Sequence, residues 1–301
     1  MRNVLGALED PSDGALAQAI EWNLFGLNAA LAGIPRARVD HNPRMMRVRT
    51  GLRHELMNGI FRAQLPVDGI DASIRDALED FRSRELPMIW WTGPSTEPPE
   101  LGKYLEHAGL VHAGDLTGTA VDLDLLPESV PTPDDLTIEA VRDERTLRTW
   151  IAPVAFGYEF PQAAALALFN LFDGFGFDPD APFQHYLGRW KGHPISTCSM
   201  FYGAGVAGMH TTVVPAYRGL GIGAAMTLAS MLDARALGYR IGVANASANG
   251  SRVQGSLGFK PYCRLGLYMP TQWGGLEATD AGVPGDGIAQ RPWVHSRGGG
   301  R

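Results

Sequence analysis

The stretch Val213-Val214-Pro215-Ala216-Tyr217-Arg218-Gly219-Leu220-Gly221-Ile222-Gly223 constrains this chain more than any other part of it. An extended β-branched run ends at a proline, a short loop carries one arginine and alternating glycines, and the apolar segment Ala224 to Ala236 begins a long helical pattern. A strand, a glycine loop and a helix start in that order build an anion cradle. Backbone N–H groups and the positive end of the helix dipole converge on one spot. The glycines let a diphosphate approach the backbone with no Cβ in the way. Arg218 adds a fixed charge with several donors. The pattern predicts a phosphorylated ligand.

Three kinds of phosphate loop compete for this reading. A P-loop requires G-x-x-x-x-G-K-[ST], and no Lys-Ser or Lys-Thr follows these glycines. A dinucleotide fingerprint requires G-x-G-x-x-G opening a helix. The chain contains such a string, Gly203-Ala-Gly205-Val-Ala-Gly208, but Met209 to Val214 after it reads as strand, so a turn between two strands is expected there. The third kind fits: Arg218-Gly-Leu-Gly221-Ile-Gly223 matches R-x-x-G-x-G/A, and Leu257-Gly258-Phe259 follows further on. Together these resemble the GNAT superfamily of acetyl-CoA-dependent N-acyltransferases, whose domain usually closes with an L-G-F after its last helix.

With 301 residues, 45% hydrophobic and 19% charged, the chain has room for about two average domains. A net charge of −6 without a Lys/Arg run argues against a general nucleic-acid binder. The first residues lack the apolar core of a signal peptide, and no stretch reaches ~18 uncharged apolar residues, so a membrane partner is not expected. Cys198 and Cys263 show no metal-ligand spacing, so no metal is expected and the chain reads as cytoplasmic and reduced.

Along the chain, helical spacing marks about 14–32, 70–86 and 99–108 in the first half, with strands at 45–50, 59–64, 87–92, 111–112 and 119–125. Pro35 and Pro43 bracket a loop. Pro127-Glu-Ser-Val-Pro-Thr-Pro133 reads as a linker. The expected division is therefore 1–128, 134–270 and a Gly/Pro-rich tail 271–301 whose end is expected to be disordered. In the second half, a strand at 136–140 and helices at about 143–156 and 161–172 precede strands at 183–190, 195–202 and 208–214. Helix 222–237, strand 242–244, helix 248–257 and strands near 260–269 complete it. Tyr104-Leu-Glu-His-Ala-Gly-Leu110 echoes Gln254-Gly-Ser-Leu-Gly-Phe259, but the first half has no R-x-x-G-x-G. This resembles tandem GNAT proteins in which only one half keeps the acyl-CoA cradle, and Trp90-Trp91-Thr-Gly-Pro-Ser-Thr-Glu-Pro98 resembles the non-binding half.

The resemblance implies an α/β (α+β) fold of two GNAT-like domains, each a mixed, mainly antiparallel twisted sheet flanked by helices. It implies an N-acetyltransferase that takes acetyl-CoA as donor and an amine as acceptor, and with no acidic trench or peptide groove legible a small-molecule amine is expected. A weaker alternative makes the first half only a scaffold that shapes the acceptor pocket or a homodimer interface. Thr211, Thr212 and Val213 would offer a splayed strand edge to the pantetheine arm. Arg218, Gly219, Leu220, Gly221, Ile222, Gly223 and Ala224 would hold the diphosphate, and Ser247 and Gln254 would line the pocket. Glu159 and His210 are the candidate catalytic groups; the competing readings are a surface carboxylate and a core histidine. Tyr158 stands beside Glu159 on the same terms.

One departure matters. The family pattern Asn-x-x-Ala-x-x-Leu-Tyr-x-x-Leu-Gly-Phe places its usual thiolate acid at a tyrosine, and here that position is Gln254, which has no useful acidity. Ser247 replaces the helix-starting asparagine and suits an N-cap. Cofactor binding is expected to survive and turnover to slow. The alternative is an acyl-CoA-binding pseudoenzyme or sensor. Tyr262 is a replacement candidate for the acid. Cys198 reads as core filler rather than nucleophile, and Trp90 and Trp91 as core rather than a ligand platform.

Overall fold

The computed structural model describes residues 7–9, 11–273 and 276–277. Helix α1 (Asp13–Ala29) starts where the Ser12 hydroxyl accepts from the Ala15 amide, an N-cap. Strands β1 (Arg38–His41), β2 (Met46–Arg49) and β3 (Asn58–Phe61) follow, then α2 (Ile70–Arg82), β4 (Ile89–Thr92), α3 (Leu101–His107) and β5 (Leu110–Asp122). The second half runs β6 (Leu136–Ala140), α4 (Glu144–Gly157), α5 (Gln162–Phe175), β7 (Phe183–Trp190), β8 (His193–Gly203) and β9 (Val206–Val213). It continues with α6 (Ile222–Ala236), β10 (Ile241–Ala246), α7 (Ala248–Ser256) and β11 (Lys260–Pro270). A short pairing of β12 (Gln272–Trp273) with β13 (Leu276–Glu277) ends the described chain. The rest of the expected tail, and its expected disorder, lies outside the described residues.

One series of elements occurs twice. β1-β2-β3 and β7-β8-β9 are antiparallel meanders. Each is followed by a helix and a strand parallel to the last of the three, β4 beside β3 and β10 beside β9. The helix is what permits a parallel return, since a tight turn allows only the antiparallel one. A second helix and a long final strand then close each series.

The final strands change places. Among the described residues the sheet order is β1-β2-β3-β4-β11-β5-β10-β9-β8-β7-β6, so β11 lies against β4 and β5 lies against β10. The two expected sheets are therefore one continuous sheet of eleven strands, with β5 and β11 antiparallel at its centre.

Alternation along the strands assigns the two faces. Ile89 and Trp91 of β4, Ile241 and Val243 of β10 and Leu265 and Leu267 of β11 join the core under α1, α4 and α5. Trp90 turns to the opposite face with Ile74 and Phe81 of α2 and Leu101 of α3. On that same face Ala244, Met209 and Cys198 meet Ile222 and Met226 of α6. Trp90 and Trp91 are thus core residues, 0% and 8% exposed.

Several sequence expectations shift. The loop expected between Pro35 and Pro43 contains β1, an edge strand whose Arg38 and Asp40 are exposed, so no apolar pattern announces it. The separate strands expected at 111–112 and 119–125 are one strand, β5, carried across Gly114 and Gly118 by pairing with β11 and β10 on its two sides. Helix α5 runs on to Phe175. The turn expected in place of a dinucleotide fingerprint is present between β8 and β9, with Ala204 and Gly205 both at positive φ, 56° and 74°.

Candidate functional site

The second half carries an opening between two strands. β9 and β10 pair at Ala207–Gly242, Gly208–Val243 and Met209–Ala244, and the register ends there. β9 continues for four more residues paired with β8 alone: His210 with Ser199, Thr211 with Cys198, Thr212 with Thr197 and Val213 with Ser196. Beyond Ala244, β10 pairs with β5 through Asn245 and Ala246. From His210 to Thr212 the β10 side of β9 is an open edge, the kind of surface to which an extended amide-bearing chain adds, and at Val213 the carbonyl on that side takes Arg218 Nε.

At the end of that edge stands the glycine loop. Gly219 and Gly221 have φ of 80° and 83°, a left-handed conformation that L side chains rarely adopt. Gly221 is the N-cap of α6, with no side-chain cap and no acidic residue in the first turn. An uncapped helix start with small residues around it can receive an anion on its backbone N–H groups. The loop folds back on the edge, because Arg218 Nε donates to the Val213 carbonyl at 3.2 Å. A Cβ on Gly223 would lie 3.8 Å from Val213 and 3.9 Å from Val253, so β9, α6 and α7 meet at this residue. Leu220 is exposed. Ser247 caps α7, its hydroxyl accepting from the Gly250 amide at 3.3 Å.

Gln254 lies where the strands part. Its Oε1 accepts from the Thr119 hydroxyl at 2.7 Å, and that hydroxyl is also 3.2 Å from the carbonyl oxygen of Ala244. Both residues are buried, at 7% and 4% exposure. The partner comes from β5, a strand of the first half.

No family model and no curated protein matches this chain. Solved structures do. A GCN5-related N-acetyltransferase from Kribbella flavida superposes with a TM-score of 0.61 at 13% identity, covering 83% of this chain and 96% of its own. A GCN5-related N-acetyltransferase from Sphaerobacter thermophilus gives 0.59 at 16%, covering 87% and 94%. A tandem GNAT protein from the clavulanic acid biosynthesis pathway gives 0.54 at 14%, covering 87% and 95%. The chain has the GNAT superfamily fold.

Within this GNAT fold, the first half has a counterpart of the opening, and it is shut. β3 and β4 pair at Gly59–Ile89 and Ile60–Trp90. The chains then rejoin, Glu97 N donating to the Ala63 carbonyl at 2.9 Å and Leu65 N to the Glu97 carbonyl at 2.8 Å. The turn that allows this is held by Glu21 of α1, 1% exposed, whose carboxyl accepts from the Ser95 amide at 3.0 and 3.2 Å. Burial raises the pKa of Glu21 and the Ser95 bonds oppose the rise. The start of α2 repeats the left-handed glycine, Gly69 with φ 79°, but Asp68 and Asp71 flank it and repel an anion.

On the α1/α4 face of the GNAT opening, His210 and Asn245 occupy successive positions just past Met209–Ala244. Burial lowers the His210 pKa to about 4, which keeps the imidazole neutral and makes it a weak base. Asn245 Oδ1 is buried with no hydrogen-bond partner among the described residues. Thr212 packs on Gly157 and hydrogen-bonds the Tyr158 hydroxyl, and burial pushes that phenol up. Glu159 is exposed with φ 53°, one residue past the Tyr158 carbonyl that His54 Nε2 meets at 3.0 Å.

Other candidates lie apart from the opening's root. Tyr262 packs against the core under α1, α4 and α5, at a bulge between Pro261 and Cys263 and apart from the core that α6 covers. Cys198 is fully buried beside Ser230 Oγ at 3.4 Å, and burial pushes its thiol up to about 11, as expected of core filler. Sequence reasoning missed Thr119, Asn245 and His54. Alternation in the strand after α6 would have separated Asn245 from Ala244. Nothing in the sequence signals that β5 or His54 reaches this site. Among the described residues no helix is long and apolar enough to cross a membrane.

Proposed function

We propose that the protein is an N-acetyltransferase that moves an acetyl group from acetyl-CoA to the amine of a small-molecule acceptor by direct attack. The observation that carries this reading is the parting of β9 from β10 after Met209–Ala244, beside an uncapped helix start approached through left-handed glycines. The names of the similar Kribbella and Sphaerobacter structures agree with it. The division into 1–128 and 134–270 belongs to the same proposal, with one cradle in the second unit.

The residues present fit the donor. The backbone of Thr211, Thr212 and Val213 would pair with the pantetheine amides. Arg218 and the amides of residues 219–224 would hold the diphosphate, with no acid nearby in the first turn of α6. When bound, acetyl-CoA supplies an activated acyl carbon and a thiol leaving group. The acceptor would approach over the α1/α4 face, where Asn245 Oδ1 is an orphaned acceptor for an amine N–H. His210 would serve there as a neutral hydrogen-bonding ring, so the amine is required in its free-base form. Positioning and backbone N–H stabilisation of the developing oxyanion would supply most of the rate.

Calorimetric titration with acetyl-CoA tests this. One site per chain, weakened at least about tenfold in Arg218→Ala, is the expected result. Absence of binding at millimolar ligand overturns the reading. A second reading, an acyl-CoA-binding pseudoenzyme or sensor, is favoured by Gln254 at the position of the usual acid. Binding without turnover across a panel of amines, with turnover gained in Gln254→Tyr, would select it.

A further inference from the structure

We propose that a cleft at the outer edge of the first half, apart from the glycine loop, binds a small molecule through a phosphomonoester group. The cleft has a volume of about 500 Å³, and Arg36, Arg38, Arg49 and Arg84 line it with a single acid, Asp40. That volume suits a metabolite-sized ligand rather than a lone ion. β1 and β2 end the sheet, and β3, β4, β11 and β5 separate them from the opening between β10 and β9. The arginines gather in a chain whose net charge is −6.

The acids here do not suffice for the arginines. Arg38 of β1 lies directly opposite Arg49 of β2, and like charges in that relation destabilise a strand pair. Arg49 is neutralised, since its guanidinium meets Asp40 and, at 2.7 Å, Asp80 of α2. Asp80 is shared further, with Arg84 Nη1 at 2.6 Å and Arg47 Nη1 at 3.5 Å. Arg36 and Arg38 are exposed and have no ion pair among the described residues; Arg38 Nη1 donates to the Ala37 carbonyl at 3.2 Å. Arg36 is also held at a conformational cost. The Ala37 amide donates to the Ile34 carbonyl at 2.9 Å, closing a turn with Pro35 and Arg36 at its centre, and Arg36 has φ 70°. A positive φ after proline is the type II pattern, whose second central position favours glycine. The fold alone would be better served by glycine at 36 and an uncharged residue at 38. Both are instead arginines lining one cleft. A guanidinium fork matches phosphate oxygens in pairs, and a phosphomonoester brings close to two negative charges on one group. Two arginines lacking acids complement that charge, whereas a single carboxylate would balance one of them.

Calorimetric titration of the full-length protein with inorganic phosphate, at constant ionic strength, tests the recognised group, and competition by glucose 6-phosphate tests the ligand class. Wild type should bind phosphate at millimolar concentrations, with an affinity that falls as salt rises, because the unpaired guanidiniums are exposed. Glucose 6-phosphate should displace it and glucose should not. Arg36→Gly and Arg38→Gln should each weaken phosphate about tenfold. In chloride, Arg36→Gly should melt above wild type, since it relieves the turn. Phosphate held at the glycine loop of the second half would respond to neither variant. The proposal is overturned if wild type binds no phosphate, if both variants bind it as wild type does, or if glucose 6-phosphate fails to compete, which leaves a site for the free ion only. A lower melting temperature for Arg36→Gly in chloride also overturns it, because the arginine would then be serving the fold. Loss of the acyltransferase reading would leave this site as it stands.

Discussion

Gly157, the last residue of α4, presses on the side chain of Thr212 so closely that Cγ2 of Thr212 leaves no space for a Cβ there. The contact seats a helix of the acceptor face on the open edge of β9. Gly157→Ala should cost about 1–3 kcal/mol in urea unfolding by overpacking. It should also weaken acetyl-CoA binding, because the edge must shift. Thr212→Ser in the same chain removes the offending methyl, and most of both losses should return. Two additive losses would mean that the contact does not couple α4 to the edge.

The two loop glycines should behave in opposite ways. Gly221 has φ 83°, and a Cβ there would come within 3.1 Å of the Pro131 carbonyl oxygen, so Gly221→Ala should destabilise the free protein by about 1–2 kcal/mol. Gly223 lies inside α6 with ordinary contacts at 3.8 and 3.9 Å, so Gly223→Ala should stabilise the free protein by about 0.5–1 kcal/mol. Both should weaken acetyl-CoA, since either methyl intrudes on the cradle. Thermal melts with and without ligand separate the two effects.

His185 sits 5% exposed against the rings of Trp150, Phe172 and Phe183, with both nitrogens unpartnered among the described residues. Burial lowers its pKa to about 3. Below pH 6.5 the unfolded chain therefore binds a proton that the folded one refuses, and stability falls as the pH drops toward 3. The slope is about 1.4 kcal/mol per pH unit for this one group. His185→Phe should remove that component and gain about 1 kcal/mol or more at pH 7 by removing two unsatisfied nitrogens. Equal pH slopes for wild type and variant would contradict the assignment.

His54 ties the first half to the loop after α4. Its Nδ1 accepts from the Leu56 amide at 3.2 Å, which leaves Nε2–H to donate to the Tyr158 carbonyl at 3.0 Å. Its ring also packs edge-on against Phe160 at 4.7 Å. His54→Ala should cost about 1–3 kcal/mol. It should raise the KM for the amine and leave the acetyl-CoA dissociation constant near wild type. A change confined to acetyl-CoA would place the tether on the wrong side of the sheet.

Much of this was legible from local signals. Val213 to Gly223 names its own strand, loop and helix because proline, glycine and β-branched residues act on the backbone next to them. Ser247 reads as an N-cap for the same reason, and the hydroxyl does cap α7. Partners distant in sequence were not legible. Thr119 is an unremarked strand threonine until β5 is seen beside β10, and the carboxylate of Glu21 gains its meaning from Ser95 across the core. β1 stayed hidden because an exposed edge strand needs no apolar alternation, and its pairing with β2 alone holds it.

The exchanged strands set an order on biosynthesis. When residue 128 leaves the ribosome, β5 is complete, yet both of its neighbours, β10 and β11, are still to be translated. A thirteen-residue strand then waits with two bare edges, a state exposed to aggregation, until residues 241–270 have been made. Each half supplies a strand that covers an edge in the other, so the centre of the sheet is the last part that synthesis allows to close.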